Sequence, residues 1–302
     1  MSTAPVMEQL GSALCSVGES PLWAPHEQAL YWVDIEGRAL HRWQAASARA
    51  QTWALAERPG CIALHALGGL VCALESSLVH LQVHDDGHVD LVTLASVEHP
   101  QPGMRFNDGR CDRSGRFWVG SMVMNMALAA PAGQIARLAG RALMRPLSDP
   151  LTVPNGLAFS PDGATMYLSD SHPSVQLVWA FALAADGTPT GRRVFIDMNH
   201  HPGRPDGAAV DVDGCYWTCA NDAGLVHRFT PDGRLDRSLA VPVSKPSMCA
   251  FGGAHLDELF ITSIRPAMPP PEQNLLAGAT FVCRPGVQGL AETSFQPATP
   301  EP

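Results

Sequence analysis

Asp112-Arg113-Ser114-Gly115-Arg116-Phe117-Trp118-Val119 and Asp211-Val212-Asp213-Gly214-Cys215-Tyr216-Trp217-Thr218 are two copies of one pattern, a Gly-containing turn that hands over to an aromatic-led strand. Glycine there supplies the positive-φ corner of a β-hairpin, and the aromatic packs between neighbouring sheets. The pattern recurs as Pro25-His26-Glu27-Gln28-Ala29-Leu30-Tyr31-Trp32-Val33-Asp34 and as Ser160-Pro161-Asp162-Gly163-Ala164-Thr165-Met166-Tyr167-Leu168. A degenerate copy is Leu67-Gly68-Gly69-Leu70-Val71-Cys72, and the last is Phe251-Gly252-Gly253-Ala254-His255-Leu256-Asp257-Glu258-Leu259-Phe260-Ile261.

With Trp32, Val71, Trp118, Tyr167, Trp217 and Phe260 as equivalent points, the repeats are spaced by about 40 to 50 residues, the length of one four-stranded propeller blade. Six points predict an all-β, six-bladed β-propeller with antiparallel blades. The short, Gly/Pro-bounded runs and the lack of amphipathic helical periods argue against a helical solenoid. Although 302 residues usually suggest two domains, a propeller of this size is one unit, here 1–302, with a core of about 14–285 and a frayed tail of about 290–302. The ring is expected to close by pairing Ala13 to Val17 with Ala279 to Arg284, and the Pro-rich tracts Arg265 to Pro271 and Phe295 to Pro302 read as a loop and a loose end.

Hydrophobic residues make up 46% of the chain and charged ones 16%, enough apolar material for a large core. A formal net charge of -9 opposes a nucleic-acid or anionic-membrane partner and favours a small molecule. No apolar run reaches the length of a membrane span, and Met1 to Leu10 lacks the features of a signal peptide, so the expected location is the cytoplasm. The 8 cysteines, Cys15, Cys61, Cys72, Cys111, Cys215, Cys219, Cys249 and Cys283, form no paired framework and read as reduced, buried fillers. Monomer and homodimer are both compatible with these features.

In a propeller the innermost strand of each blade runs along the central channel, so equivalent positions face one another. Counting back from each marker gives Glu19, Cys61, Asn107, Asn155, Asp206 and Ser247. Four of these carry a carboxylate or carboxamide. Such groups converging on an axis make a hard-oxygen site at the channel mouth for one divalent cation, Ca²⁺, Mg²⁺ or Mn²⁺, with Zn²⁺ tolerated. Any single Asn-Gly or Asp-Gly is an ordinary turn former; the shared phase raises these above that.

Glu19 in GESPLW, RFNDGRCDRSGRFWVGSM from Arg105, PNGLAFSPDGATMYLSDS from Pro154, RPDGAAVDVDG from Arg204 and FGG at Phe251 together resemble the senescence-marker-protein/gluconolactonase family, which includes regucalcin and luciferin-regenerating-enzyme-like proteins. The resemblance spans roughly Leu14 to Val282. It implies a divalent metal held by Glu19, Asn155 and Asp206, Asp206 acting also as general base, a sugar contacted by Arg105 and Asn107, and hydrolysis of a sugar lactone to its aldonic acid. A cation-activated hydroxide is an alternative to Asp206 as base. Arg105 beside Asp108 also fits a structural ion pair. Two further readings of the chain stay open, a metal-dependent phosphotriesterase-type hydrolase and a non-catalytic calcium-binding or protein-binding propeller.

After Trp118, Met122, Met124, Met126 and the Ala-rich stretch to Gly133 replace the polar lid of the family pattern, which implies an apolar rim or a shortened lid. His200 and His201 read as a solvated loop, since adjacent residues on a strand point opposite ways. Asp170 and His172 fit either substrate contact or the capping of a turn.

Overall fold

In a computed structural model, residues 5–268, 272 and 275–297 are described. They form six four-stranded antiparallel sheets arranged as a ring. The innermost strands of blades 1 to 6 are Gly18–Ala24, Cys61–Leu64, Met104–Cys111, Pro154–Phe159, Arg204–Val210 and Pro246–Gly252. Consecutive innermost strands contact one another around the axis. All six markers used to count the blades are buried.

Most of the buried apolar side chains described fall into six clusters, one at each seam between neighbouring blades. Each blade therefore buries both faces, as a twisted sheet in a closed ring must. The repeated turns are held by their own aspartates. Asp112 accepts the Trp118 indole N–H at 2.8 Å and Arg116 Nε at 2.6 Å, and Asp211 accepts Trp217 Nε1 and Arg228 Nε, both at 2.8 Å. Each bond to a buried carboxylate contributes about 1.5–3 kcal/mol, so hairpin and seam aromatic are fastened at one point.

Two expectations about the ends are corrected. The ring closes through Glu8–Leu10, which pairs with Thr280–Cys283 as the outermost strand of blade 6. Ala13 to Val17, expected to be that strand, instead forms the approach to blade 1, where Cys15 N–H donates to the Gly278 carbonyl at 2.8 Å and Val17 bridges Ile264. The tail is docked rather than frayed up to Gln296. Val212 N–H donates to the Gln288 carbonyl at 3.0 Å, Arg110 pairs with Glu292 at 3.0 Å, and Phe295 bridges His65. These partners lie at or just past the C-terminal ends of innermost strands, so the tail crosses one end of the channel. Phe295 is 0% exposed within the seam of blades 2 and 3, because its ring fills space that ring closure leaves there. Residues 298–302 and 269–271 of the two Pro-rich tracts lie outside the described residues; Arg265 to Met268 is loop, as expected.

Phe295→Ala is expected to cost about 3–5 kcal/mol, read as a lowered urea midpoint. A loss below about 1 kcal/mol would mean the tail is peripheral.

Candidate active site at the mouth of the axial channel

A regular strand turns successive side chains to opposite faces. Five of the six innermost strands break this alternation near their start with a bulge, two residues opposite one, while the short strand Cys61–Leu64 of blade 2 pairs regularly. A bulge bends the strand and re-aims a side chain. In blades 1 and 4 the first bulge residue is left-handed, Ser20 at φ 51° and Gly156 at φ 61°, and the residue before it, Glu19 or Asn155, lines the cavity. In blades 3 and 5 the first bulge residue, Asn107 or Asp206, is itself the lining residue. Strict equal phase is thus corrected by one residue between the two sets. Cys61 and Ser247, though in phase by sequence, do not line the cavity.

The cavity, of about 170 Å³, lies at the end of the channel where the innermost strands begin, opposite the tail. Glu19, Arg105, Asn107, Asn155 and Asp206, all expected from the sequence, meet in it. Arg105 donates to Asn107 Oδ1 at 2.7 Å and to the Phe106 carbonyl at 2.8 Å, and Asn107 Nδ2 donates to Asn155 Oδ1 at 3.1 Å. Asn155 Nδ2 donates to Ser171 Oγ at 2.8 Å, and Ser171 passes its own hydrogen to the Pro205 carbonyl. One chain of hydrogen bonds therefore ties three blades together across the mouth. The alternative of an Arg105–Asp108 ion pair is not realised, since Asp108 Oδ2 accepts the Leu157 N–H at 3.0 Å instead.

Glu19 accepts only its neighbour's N–H, from Ser20 to Oε2 at 3.0 Å, and Asp206 only Asn221 Nδ2, on Oδ2 at 2.7 Å. The other oxygen of each carboxylate has no hydrogen bond. Burial raises both pKa values, Asp206 to about 7, and the charges of Asp206 and Asp108 raise Glu19 further. Arg105 is buried, its Nε has no partner, and burial lowers its pKa. Two buried carboxylates and a carboxamide oxygen, with no sulfur or imidazole among them, fit a divalent hard cation, which would remove the repulsion that burial creates.

Asp34 and Asn221, which help build the site, escaped sequence reasoning, and Asp170 reads from the sequence only as a substrate contact or turn cap. Asp34, Asp170 and Asn221 stand 15 residues after Glu19, Asn155 and Asp206 respectively, a constant spacing that was available as a signal. Asp34 accepts the Ser16 and Val17 N–H groups, Asp170 those of Thr152 and Val153, and Asn221 bonds Asp206 directly. In blades 1 and 4 the second strand thereby fixes the approach to the first, and in blade 5 it fixes the cavity carboxylate itself. Asp170 thus caps a loop, and His172 Nε2 donates to the Met126 carbonyl at 3.3 Å, holding the single helical turn Met126–Leu128 near the mouth. Neither lines the cavity. Met122 and Met126 do, with Val17, Ile35, Val153 and Ile264, so the expected apolar rim is present. Met124 is exposed and does not line the cavity, and His200 has its side chain 79% exposed.

Fold and cavity define a six-bladed propeller with an acid-and-amide cluster on its axis. The sequence model described as SMP-30/Gluconolactonase/LRE-like region matches residues 17–265, and the chain belongs to that family. It is similar to the 6-deoxy-6-sulfogluconolactonase of Pseudomonas putida, 38% identical over 283 residues that cover 92% of this chain and 94% of the other. It is 32% identical to the L-arabinolactonase of Azospirillum brasilense, over 93% and 92% of the two chains. Among solved structures, a calcium-binding protein, regucalcin, from Agrobacterium tumefaciens matches with a TM-score of 0.88 at 29% identity, over 97% and 98%. No helix among the described residues is long and apolar enough to cross a membrane.

The raised pKa of Asp206 sets the sign of a pH effect. An unfolded Asp releases its proton near pH 4, whereas the folded, chelated protein retains it up to about pH 7. Stability contributed by this group is therefore full at low pH and lost as pH rises through that window. In chelator, the melting temperature of the wild type is expected to fall relative to Asp206→Asn between these limits; parallel profiles would refute the shift.

Proposed function

We propose that this chain hydrolyses a sugar lactone to the corresponding aldonic acid, using one divalent cation held by Glu19, Asn155 and Asp206. The observation that carries the reading is the meeting of two buried carboxylates, each with an oxygen free of hydrogen bonds, with an amide oxygen and a buried Arg in one axial cavity. Relatives named for sulfogluconolactone and arabinolactone hydrolysis support it, as does a structural neighbour described as calcium-binding. The volume of about 170 Å³ suits one sugar ring.

A bound divalent cation would supply Lewis-acid polarisation of the lactone carbonyl. The chain's own residues do the rest. Asp206, held through Oδ2 by Asn221, presents Oδ1 to an incoming water and takes its proton as the oxygen adds to the carbonyl carbon. The ring C–O bond then breaks, and the proton passes to the departing ring oxygen, which becomes a hydroxyl. Arg105 places its planar fork on sugar oxygens, and Asn107, locked between Arg105 and Asn155, fixes where that fork lies. The Met122, Met126, Val153 and Ile264 walls receive the ring's C–H faces and shed water from the site. Eight buried free thiols suit a reducing compartment, and we place the protein in the cytoplasm.

Asp206→Asn and Glu19→Gln are each expected to lower aldonolactone hydrolysis, followed by pH-stat, about a hundredfold or more while the fold persists by circular dichroism. Chelation of the wild type should do the same and re-addition of a single divalent ion should restore it. Full activity in Asp206→Asn would end the assignment of Asp206 as base.

A further inference from the structure

Away from the axial cavity, Cys15, Asp34 and His41 gather at the seam of blades 6 and 1. One ligand atom from each lies within 4.8 Å of the other two, and the residues are 1%, 6% and 9% exposed. We propose that these three side chains form a second metal site, for one zinc-like ion, independent of the lactone-hydrolysing centre.

The first support is an orphaned nitrogen. His41 Nδ1 is bonded to Thr52 Oγ1 at 2.9 Å, while its buried Nε2 has no hydrogen-bond partner. Buried imidazoles normally satisfy both nitrogens. His227, in the analogous strand of blade 5, does so, with Ser238 Oγ at 2.8 Å and the Pro202 carbonyl at 3.0 Å. Metal-binding histidines are commonly oriented by donating the other ring N–H to an oxygen acceptor, and Thr52 Oγ1 supplies that oxygen to His41 Nδ1.

The second support comes from comparing blades. Asp170 in blade 4 accepts the Thr152 and Val153 N–H groups as Asp34 accepts those of Ser16 and Val17. The pair Trp32 and His41 corresponds in register to Leu168 and Trp179, and Cys15 to Leu151. Blade 4 thus surrounds its aspartate with Leu151 and Trp179, and the loop is held equally well. The structural role of Asp34 therefore does not need Cys15 or His41. In blade 1 the two apolar neighbours are replaced by the two side chains that best ligate a borderline-soft ion.

The chemistry of the set selects the ion. Thiolate, imidazole and carboxylate suit Zn²⁺ and not Ca²⁺ or Mg²⁺, which take oxygen shells. Thiolate and carboxylate together carry two negative charges, which a divalent ion cancels in a buried place. Asp34 is already anchored by the Ser16, Val17 and Gly37 N–H groups and offers a fixed oxygen. Burial pushes the Cys15 thiol up to about 12, so on binding the S–H proton leaves to solvent as the sulfur–metal bond forms. No electron is transferred. Three protein ligands leave the fourth corner of a tetrahedral shell for one further donor.

Cobalt(II) added to the chelated full-length chain reads the site by a thiolate-to-cobalt charge-transfer band in the near ultraviolet. The band is expected in the wild type, lost in Cys15→Ser, weakened in His41→Gln and unchanged in Glu19→Gln. Equilibrium dialysis against Zn²⁺ should show the wild type holding about one equivalent more than Cys15→Ser. If Cys15→Ser fails to fold, His41→Gln answers the same question. Absence of the band in the wild type, its persistence in Cys15→Ser, or equal zinc in both proteins would overturn the site. Because Glu19→Gln disables only the axial centre, loss of lactone hydrolysis there with the band intact separates failure of one proposal from failure of the other.

Discussion

The two-for-one bulge near the start of five innermost strands is the constraint on which the axial cavity depends. A regular ladder would give each strand one face towards the axis and hold it in that phase throughout. The bulge lets the first residues present polar groups to the cavity and then returns the strand to the alternation that fills the seams, with Leu22, Ala158 and Ala208 buried just beyond it. Gly156 shows how tight the arrangement is. A Cβ there would stand 2.4 Å from the Tyr216 hydroxyl and 2.8 Å from Ser169 Oγ, and its φ is positive. Only glycine fits both the conformation and the space, and Asn155 is aimed by it.

Burial and charge then act together. Six apolar seams surround the axis, and within them Glu19 and Asp206 have few donors, with Arg105 the nearby cation for Glu19 and Arg204 for Asp206. An environment that disfavours two adjacent negative charges strongly favours a divalent ion between them. The hydrogen-bond chain from Arg105 through Asn107, Asn155 and Ser171 to Pro205 holds this geometry across three blades. A side chain moved in one blade is thus felt in the next two.

Repetition supplies aspartate for two structural tasks besides the cavity. Asp112 and Asp211 fasten turn to seam aromatic, and Asp34 and Asp170 hold the loop that leads into a cavity residue. Departures from the repeat carry the individual chemistry. Asn221 stands where blades 1 and 4 have an aspartate and donates to Asp206, and Cys15 with His41 replaces an apolar pair beside Asp34.

The sequence by itself determined the number of blades and four polar residues of the cavity, Glu19, Asn107, Asn155 and Asp206, because turn glycines, seam aromatics and strand starts are local signals that recur from blade to blade; Arg105 and the apolar rim were legible only through the family resemblance. Tertiary structure decided the rest. Whether Glu8–Leu10 or Ala13–Val17 completes blade 6, where Phe295 docks, and that Arg105 turns to Asn107 and not to Asp108 depend on surfaces that exist only once the ring has closed. The one-residue offset between Glu19 and Asn155 on one side and Asn107 and Asp206 on the other has the same origin. It is set by backbone conformation within each bulge, which packing against the adjacent blades selects and a local stretch of residues leaves open.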